Sequence, residues 1–387
     1  MDLNSVFRTA AGSLANTASQ IATVSDNISG TNVAGYSRRD AQVLYNPALN
    51  VVAISRASDA ALTADLSASL SREATAGALA NYFNQLSSVL GEAAASGSVY
   101  SGLGSLKDAI ELAASAPSDD VGLSSLVEDA RQLAGSINDK YGTLLRIRGD
   151  ADRQISASVQ NVNNLLKRID ELTHEVMAAG TGTRAGLAAL DERDRMIASL
   201  STEIGIVARP RENGDVAIFT STGLTLYDRT PRTVSFNATP LYGVSTQGNA
   251  VLVDGVPMVR GDGDSRTPAG RLAGLLQVRD EVLPSEMVRL DEMARGLVEA
   301  MAETDQTGGG KPALAGLFTW NGGPAVPPGG VLASGIALSL RVNAAVDPFA
   351  GGQPSLLRDG GINGDPDYVS NTTSAVSFPY RLLSMSD

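Results

Sequence analysis

The chain contains no cysteine and only one histidine among its 387 residues. Without thiols there are no disulfide bonds, cysteine nucleophiles or thiolate metal ligands. The one histidine, His174, precedes Glu175, but position 178 is alanine, so the two-histidine zinc helix is missing. No Gly-x-Ser-x-Gly turn is present for a serine nucleophile. We therefore predict no catalytic residue, metal ligand or cofactor and no enzymatic activity, and we assign His174 to structure or surface.

Aromatic and basic residues are also scarce. Aromatics make up 4% of the chain, and 30 Lys and Arg face 42 Asp and Glu, giving a net charge of −12. Phosphate recognition requires clustered basic residues, so this balance argues against nucleic acid and against anionic membranes. No apolar run reaches the roughly 18 residues that cross a bilayer, and the first residues do not form a cleaved signal peptide. We therefore expect no membrane insertion. If the protein is exported, we expect a route that does not use a cleaved signal peptide.

A heptad repeat is the clearest pattern that the sequence does contain, and it occupies the first thirty residues. Its two series are Phe7, Leu14, Ile21 and Ile28, and Leu3, Ala10, Thr17 and Val24. A stripe of period 3.5 is the geometry of a coiled-coil seam. Most other positions carry small uncharged residues, whereas a free-standing helix would carry Lys and Glu. We predict an assembly helix over residues 1–30 that requires a partner helix.

Helical spacing continues over much of the next 170 residues, after a short extended stretch from Gln42 to Tyr45. Helices are predicted from about Ala57 to Ala95 and from Leu103 to Ser115, with Ser118 as the N-cap of the next one. That next pattern, from Leu126 to Val176, contains no proline and predicts a helix on the order of 80 Å long. These residues form the first part of a predicted helical rod domain, 31–204.

A charged run lies within a further helix predicted from Ala185 to Glu203. Its sequence is Asp191-Glu-Arg-Asp-Arg195. Paired carboxylates can serve acid–base chemistry, but mixed charges on a helix are more typical of ion pairs within the helix on a solvated face. We favour the solvated face.

The apolar period changes from 3.6 to 2 after Gly205. Short β-type runs alternate with turns such as Asn213-Gly214 and Asp254-Gly255, which predicts an inserted β-domain over 205–265. Residues 266–387 are predicted to return to the rod domain, with a helix near Leu272 that is interrupted at Pro284. Between about 307 and 367 only Gly335–Val342 has an ordered alternation. The fold class is therefore mainly α with an inserted β-domain, in an elongated bundle of long coiled-coil-like helices.

Two acidic loops have oxygen-bearing side chains two residues apart, as calcium loops do. One contains Asp262 and Asp264, and the other contains Asn363, Asp365 and Asp367. Neither has the full spacing or the closing glutamate of an EF-hand. Solvated turns are the default interpretation, and calcium binding is left open.

Several segments resemble one family. The stretch Asp26-Asn-Ile-Ser-Gly-Thr-Asn-Val-Ala-Gly-Tyr-Ser-Arg38 resembles the N-terminal signature of bacterial flagellar axial proteins, with Ala34 where proline is common. Three further segments narrow the resemblance to the flagellar hook-associated protein 1 family, the first hook–filament junction proteins: residues 190–200, 270–284 and 316–318.

The resemblance implies a structural role outside the cell, at the junction between hook and filament. It implies self-assembly into a ring or tube through terminal coiled-coil helices, export by the flagellar type III apparatus, and contact with an export chaperone, the hook protein and the second junction protein. The residues assigned to the assembly interface are Leu3, Phe7, Ala10, Leu14, Ile21, Val24, Ile28, Asn27, Asn32, Gly35 and Tyr36.

The family's long C-terminal helix is not found before Asp387, where the sequence ends shortly after Phe378-Pro-Tyr-Arg. That helix is the expected partner of the heptad stripe and the expected chaperone site. We therefore expect the stripe to be exposed, and the first helix to be disordered before assembly, because a small-residue seam alone buries too little apolar surface to offset its ordering entropy.

Two other functions remain open from the sequence. Another axial protein, such as a hook, rod or flagellin-like subunit, would share the N-terminal signature and differ in its middle domains. A cell-wall hydrolase carried on the flagellum is a remote alternative that no catalytic constellation in the sequence supports.

Overall fold

The computed structural model describes residues 3–44, 51–91, 95, 97–258, 269–331 and 333–386. These residues form two compact units. Unit 1 comprises the described residues of Met1–Ala80, Asp152–Thr239 and Gly248–Gln277. Unit 2 comprises those of Asn81–Ala151, Pro240–Gln247 and Val278–Asp387.

Helices account for most of the described chain, as the predicted fold class requires. In chain order they are α1 (Leu3–Gly30), α2 (Ala60–Leu90), α3 (Val99–Ser115), α4 (Asp120–Ala179), α5 (Arg184–Glu203), α6 (Arg271–Gln277), α7 (Leu283–Ala300), α8 (Ile336–Ser339), α9 (Leu356–Asp359) and α10 (Tyr380–Ser386). None of the described helices is both long and apolar enough to span a bilayer.

The longest element, α4, has 60 residues, which corresponds to about 90 Å of helix. Its apolar positions recur every three or four residues, and those predicted to face a core are almost completely buried along the helix, from Leu126 to Val176. The predicted cap was wrong by one residue. The carboxylate of Asp119 accepts the N–H of Val121 at 3.0 Å, so Asp119 caps the helix in place of Ser118.

The strands of unit 1 are short and antiparallel. A hairpin pairs β1 (Arg39–Leu44) with β2 (Val51–Arg56). The larger sheet has the order β3-β4-β5-β6, and a smaller one has the order β7-β8-β9. These strands are β3 (Ile206–Pro210), β4 (Val216–Thr220), β5 (Thr225–Asp228), β6 (Thr230–Pro231), β7 (Val234–Ser235), β8 (Leu252–Val253) and β9 (Val256–Pro257). The inserted β region of the predicted fold class is thus confirmed, whereas its bounds of 205–265 stay a prediction.

The interruption predicted near Pro284 takes the form of a π-helical turn. Residues Val278–Val282 form this turn between α6 and α7, and Pro284 lies in the first turn of α7. Proline is tolerated there because the first N–H groups of a helix have no partner within the helix. The helix therefore resumes at the proline.

The Gly- and Pro-rich part of unit 2 is more ordered than the sequence suggests. Leu317 and Phe318 are fully buried, and β10 (Phe318–Thr319) pairs with β11 (Arg341–Val342). The alternating stretch Gly335–Val342 begins with helix α8 instead of a strand. The buried carboxylate of Asp291 accepts the N–H groups of Gly335 and Ala337, both at 2.9 Å, and this fixes the helical start.

Candidate assembly interface

The heptad stripe of α1 lies on the surface of unit 1. Six of its side chains are 56–74% exposed: Leu3, Phe7, Leu14, Ile21, Val24 and Ile28. Ala10 is exposed as well, and so are most residues of α1 that lie off the stripe, whereas Thr23 and Gly30 are buried. Full burial of an apolar side chain of this size contributes roughly 1.5–3 kcal/mol. A helix that covers the stripe would therefore gain a large favourable free energy of burial.

Asn27 joins the end of α1 to the first strand. Its Oδ1 accepts the N–H of Arg39 and the hydroxyl of Tyr36, both at 2.9 Å. Its Nδ2 donates to the carbonyl oxygen of Arg39 at 2.8 Å. A single amide side chain thus holds the start of β1 and the Tyr36 ring against the last turns of the helix.

The turn between α1 and β1 needs glycine at two positions. Gly35 has a φ of +78°, and a Cβ there would lie 2.4 Å from Cγ of Arg195 on α5. A Cβ on Gly30 would lie 2.6 Å from the ring of Tyr36. Asn32, also predicted for the interface, is exposed in the turn. Asn27, Gly35 and Tyr36 therefore share one close-packed junction, whereas Asn32 lies at its surface.

A cluster of ion pairs continues this junction into α5. Arg39 contacts Asp26 at 3.2 Å and Asp191 at 3.3 Å. Arg56, at the end of β2, lies 3.1 Å from Asp191. Only 7% of the side chain of either Arg39 or Asp191 is exposed.

Two outer ion pairs complete this group, which we call the ion cluster. Arg56 contacts Asp194 at 2.5 Å, and Arg184 pairs with Asp26. The ion cluster consists of three arginines and three aspartates and is therefore balanced in charge: Arg39, Arg56, Arg184, Asp26, Asp191 and Asp194. It links α1, the hairpin and α5 within unit 1.

The prediction that Asp191–Arg195 forms a solvated face was wrong. Asp191 and Arg193 are buried, and Arg193 donates to the carbonyl oxygen of Gly214. Within this run, only the half-exposed Glu192–Arg195 pair is an ion pair within the helix of the predicted kind. The partner of Asp191 in β1 is 152 positions away, so no local pattern in the helix could indicate it. Asp191 lies in one family segment, and Arg39 directly follows the N-terminal signature that ends at Arg38.

Burial dominates the electrostatics of this junction. It raises the pKa of Asp191, against the opposing effects of Arg56 and Arg39. It also raises the pKa of the Tyr36 hydroxyl. Removing either arginine would raise the pKa of Asp191 further, because a buried carboxylate would then lose one of its two cations.

The other candidate residues lie elsewhere. His174 is exposed on α4, and its Nδ1 is 2.9 Å from the carbonyl oxygen of Asp170. In the second acidic loop the ammonium of Lys311 lies 2.9 Å from Asp365 and 2.5 Å from Asp367. The side-chain amide of Asn363 donates to the carbonyl oxygen of Ala315 at 2.7 Å.

No cluster of three potential metal ligands from His, Cys, Asp and Glu occurs within the part of the chain that the structure describes. The other acidic pair, Asp262 and Asp264, lies outside that part.

The fold and this junction define a class of mainly α-helical proteins. In this class an N-terminal helix with an exposed apolar stripe is joined to the rest of its unit by ion pairs. Comparison with known proteins narrows the class. The family model described as the flagellar hook-associated protein FlgK helical domain matches residues 83–314, which is more than half of the chain. The chain therefore belongs to this family, as the sequence segments predict.

A solved structure shares the fold. The flagellar hook junction protein FlgK from Burkholderia pseudomallei matches with a TM-score of 0.54 and 18% identity, over 67% of this chain and 47% of that one. The chain thus spans about half the length of that relative. No match was found among curated proteins.

Proposed function

We propose that this protein is a non-catalytic structural component of the bacterial flagellum and acts at the junction between hook and filament. Its family membership rests on residues 83–314, and the observation that carries an assembly role is the exposed apolar stripe of α1. A surface stripe of period 3.5 fits a second helix in the manner of a coiled coil. The stripe residues would then be buried between subunits, whereas Leu14 and Ile21 are exposed in the single chain.

The proposed partners follow from this placement. Subunits would associate through α1 into a ring or tube, with the hook protein on one side and the second junction protein on the other. Export would use the flagellar type III apparatus and its chaperone, and the site of action would be extracellular. Residues 1–30 would serve as the assembly segment, 31–204 and 266–387 as the rod domain, and 205–265 as the inserted β-domain.

Labelling in the cell tests this placement. The gene is deleted in its motile host and replaced by a copy with a small epitope tag inserted after Gly223, an exposed turn in the β region. Gold-labelled antibody is then located by electron microscopy. We expect label at the distal end of the hook, and hooks without filaments in the deletion strain.

Other label positions would contradict the junction role. Label along the whole hook, in the rod or along the filament would indicate another axial protein. Filaments of normal length in the deletion strain would show that the protein is not required to join the filament to the hook. Glycan or peptide cleavage that disappears on a single carboxylate substitution would point to the hydrolase alternative.

A further inference from the structure

We propose that Phe349 is a knob through which one copy of this chain contacts the next, by entering a hollow beside Gly135 on the neighbouring copy. This inference rests on the self-assembly proposed above, and it adds a contact in unit 2 to the one at α1. Phe349 is 85% exposed, more than any other large apolar side chain in the described part of the chain. Aromatic side chains are enriched at the centres of protein interfaces.

The loop that carries Phe349 is held by its own hydrogen bonds. Asp347 Oδ1 accepts the N–H of Phe349 at 2.9 Å, and the carbonyl oxygen of Asp347 accepts the N–H of Gly352 at 2.8 Å. Val346, next to Asp347, is completely buried. Single exposed apolar residues are ordinary on protein surfaces. A side chain on a fixed loop differs from them, because the loop has already lost the freedom that binding would otherwise remove.

Arg131 of α4 supports the phenyl ring of Phe349 from one side. Its guanidinium lies 4.5 Å from the ring centroid, and it contacts the carboxylate of Asp347 at 2.5 Å. Glu128 pairs with the same arginine, so two carboxylates surround one cation and the charge beside the knob is net negative. The other ring face is open. Because ring faces attract cations, the partner surface should combine open space with a positive charge.

A hollow with these properties is present in unit 2. Its volume is about 530 Å³, and its lining includes Val89, Gly135 and Lys140. A Cβ on Gly135 would meet no atom within 4 Å, so the space above it is open. Lys140 donates to the carbonyl oxygens of Val89 and Leu90 at 2.7 and 3.3 Å. These partners are neutral, so its ammonium keeps a positive charge for the free ring face. Asp139 in the same lining carries the charge opposite to that of Arg131.

The knob and the hollow face different directions. At 3.6 residues per turn, the hollow residues Gln132 and Ser136 project roughly 100–140° away from Arg131 around α4. Two copies therefore cannot insert both knobs into both hollows at once, as a two-fold dimer would require. A knob in the hollow of the next copy is a head-to-tail contact, the kind that builds rings and tubes of subunits. This direction and the matching charges assign the hollow to a second copy of this chain.

Crosslinking in assembled flagella tests the contact. The chain has no cysteine, so two introduced ones direct a short bismaleimide. Ala350→Cys places one beside the knob, and Ser136→Cys places the other in the hollow. The full chain with both changes replaces the original in its motile host, and isolated flagella are crosslinked and run on a denaturing gel. We expect a ladder of dimers and larger multiples. Thr143→Cys replaces Ser136→Cys if the latter prevents assembly.

The matched control is Leu241→Cys combined with Ser136→Cys. Leu241 is 82% exposed and belongs to the same unit, so this pair has equal access to the crosslinker and should give single chains only.

Phe349→Ala in the double-cysteine chain tests the phenyl ring itself. Because the side chain is exposed, the variant should fold with an unchanged circular dichroism spectrum. The ladder should weaken at least about tenfold, as expected for the loss of a residue that dominates an interface. Phe349→Tyr keeps the aromatic ring and should retain the ladder.

Each outcome decides the proposal. Single chains only, from flagella in which gold label lies at the distal end of the hook, would overturn the knob and leave the junction function standing. Dimers from Ala350→Cys alone would indicate a two-fold contact, and an unchanged ladder in Phe349→Ala would show that the phenyl ring is not the contact. Either result would overturn the proposal. Label elsewhere would overturn the proposed junction function, and this inference with it.

Discussion

Asn27 connects the last turns of α1 to the start of β1 and to Tyr36. Its amide satisfies the N–H and C=O of Arg39 and the hydroxyl of Tyr36. These groups have limited access to water, so the loss of the amide leaves them without adequate partners. The residue belongs to the motif that the sequence already indicated, but its three bonds were visible only in the structure.

Asn27→Ala should lower the free energy of unfolding by about 1–3 kcal/mol, the cost of leaving partly buried polar groups unpaired. Asn32→Ala in the same turn is the control, because Asn32 is exposed and surface changes usually stay within about 0.5 kcal/mol. Urea unfolding followed by circular dichroism measures both. Equal effects would contradict the role assigned to Asn27.

Gly35→Ala should destabilise the protein by about 1–3 kcal/mol, because the positive φ strains any residue with a Cβ and the new methyl group would overlap Arg195. Gly12→Ala provides the contrast. It lies inside α1 with open space around it, and alanine there should be neutral or stabilising by up to about 1 kcal/mol. A thermal shift of the same sign in both variants would show that the Gly35 conformation does not matter.

Asp305 gives a prediction for pH. Hydrogen bonds from the Thr307 side chain, from the Thr307 N–H and from the Lys311 N–H lower its pKa to about 2. Because the folded pKa is below the unfolded value of about 3.9, the contribution of Asp305 to stability is present above pH 4 and is lost as the pH falls towards 2. Carboxyl NMR titration measures this pKa, and Thr307→Val should raise it. A pKa near 4 in the unmodified protein would contradict the hydrogen bonds described.

Charged residues mark the limit of sequence-based prediction at this scale. Asp191 was predicted to face water because its neighbours alternate in charge, yet it is buried against Arg39 and Arg56. A local pattern records only neighbours along the helix. The arginines come from a hairpin that precedes α2, so the contact depends on tertiary structure alone.

Among the elements, the long helices and the β region could be predicted from the periodicity of the sequence, since an amphipathic period is repeated many times in α4. The structure of residues 307–367 could not be predicted in this way. Its order comes from buried residues at irregular spacing, such as Phe318 and Val346, and from polar groups such as Asp291. Short elements stabilised by distant contacts carry too few repeats to show a period.

The proposed assembly function depends on α1, and substitutions on its two faces should differ in effect. Leu14→Asp should reduce self-association and filament attachment at least about tenfold, because it places a charge in the seam. The stability of the free chain should change little, since Leu14 is 74% exposed. Ala15→Asp, exposed on the neighbouring face, is the control and should assemble normally. Swimming assays and electron microscopy of the variants measure the effect.

If Leu14→Asp assembles as well as Ala15→Asp, the stripe is not an interface. If instead it unfolds the free chain, the stripe is covered within one molecule and is not presented to another. Circular dichroism of the purified variants separates these outcomes.

For the whole molecule, two distant family segments come together as one structural feature. The N-terminal signature and the segment around Asp191 meet at the ion cluster and at the contact between Gly35 and Arg195. The resemblance predicted the family, and the family model confirmed it over residues 83–314. The spatial connection between the two segments required the fold.

The central claim is that α1 carries the assembly contact of a hook–filament junction protein. Electron cryomicroscopy of isolated hook–filament junctions that contain this protein tests it most directly. We predict density for α1 at the junction, with Leu14 and Ile21 packed against a helix from elsewhere in the assembly. Density at the junction in which these two side chains face solvent, or junctions that lack the protein, would contradict the claim.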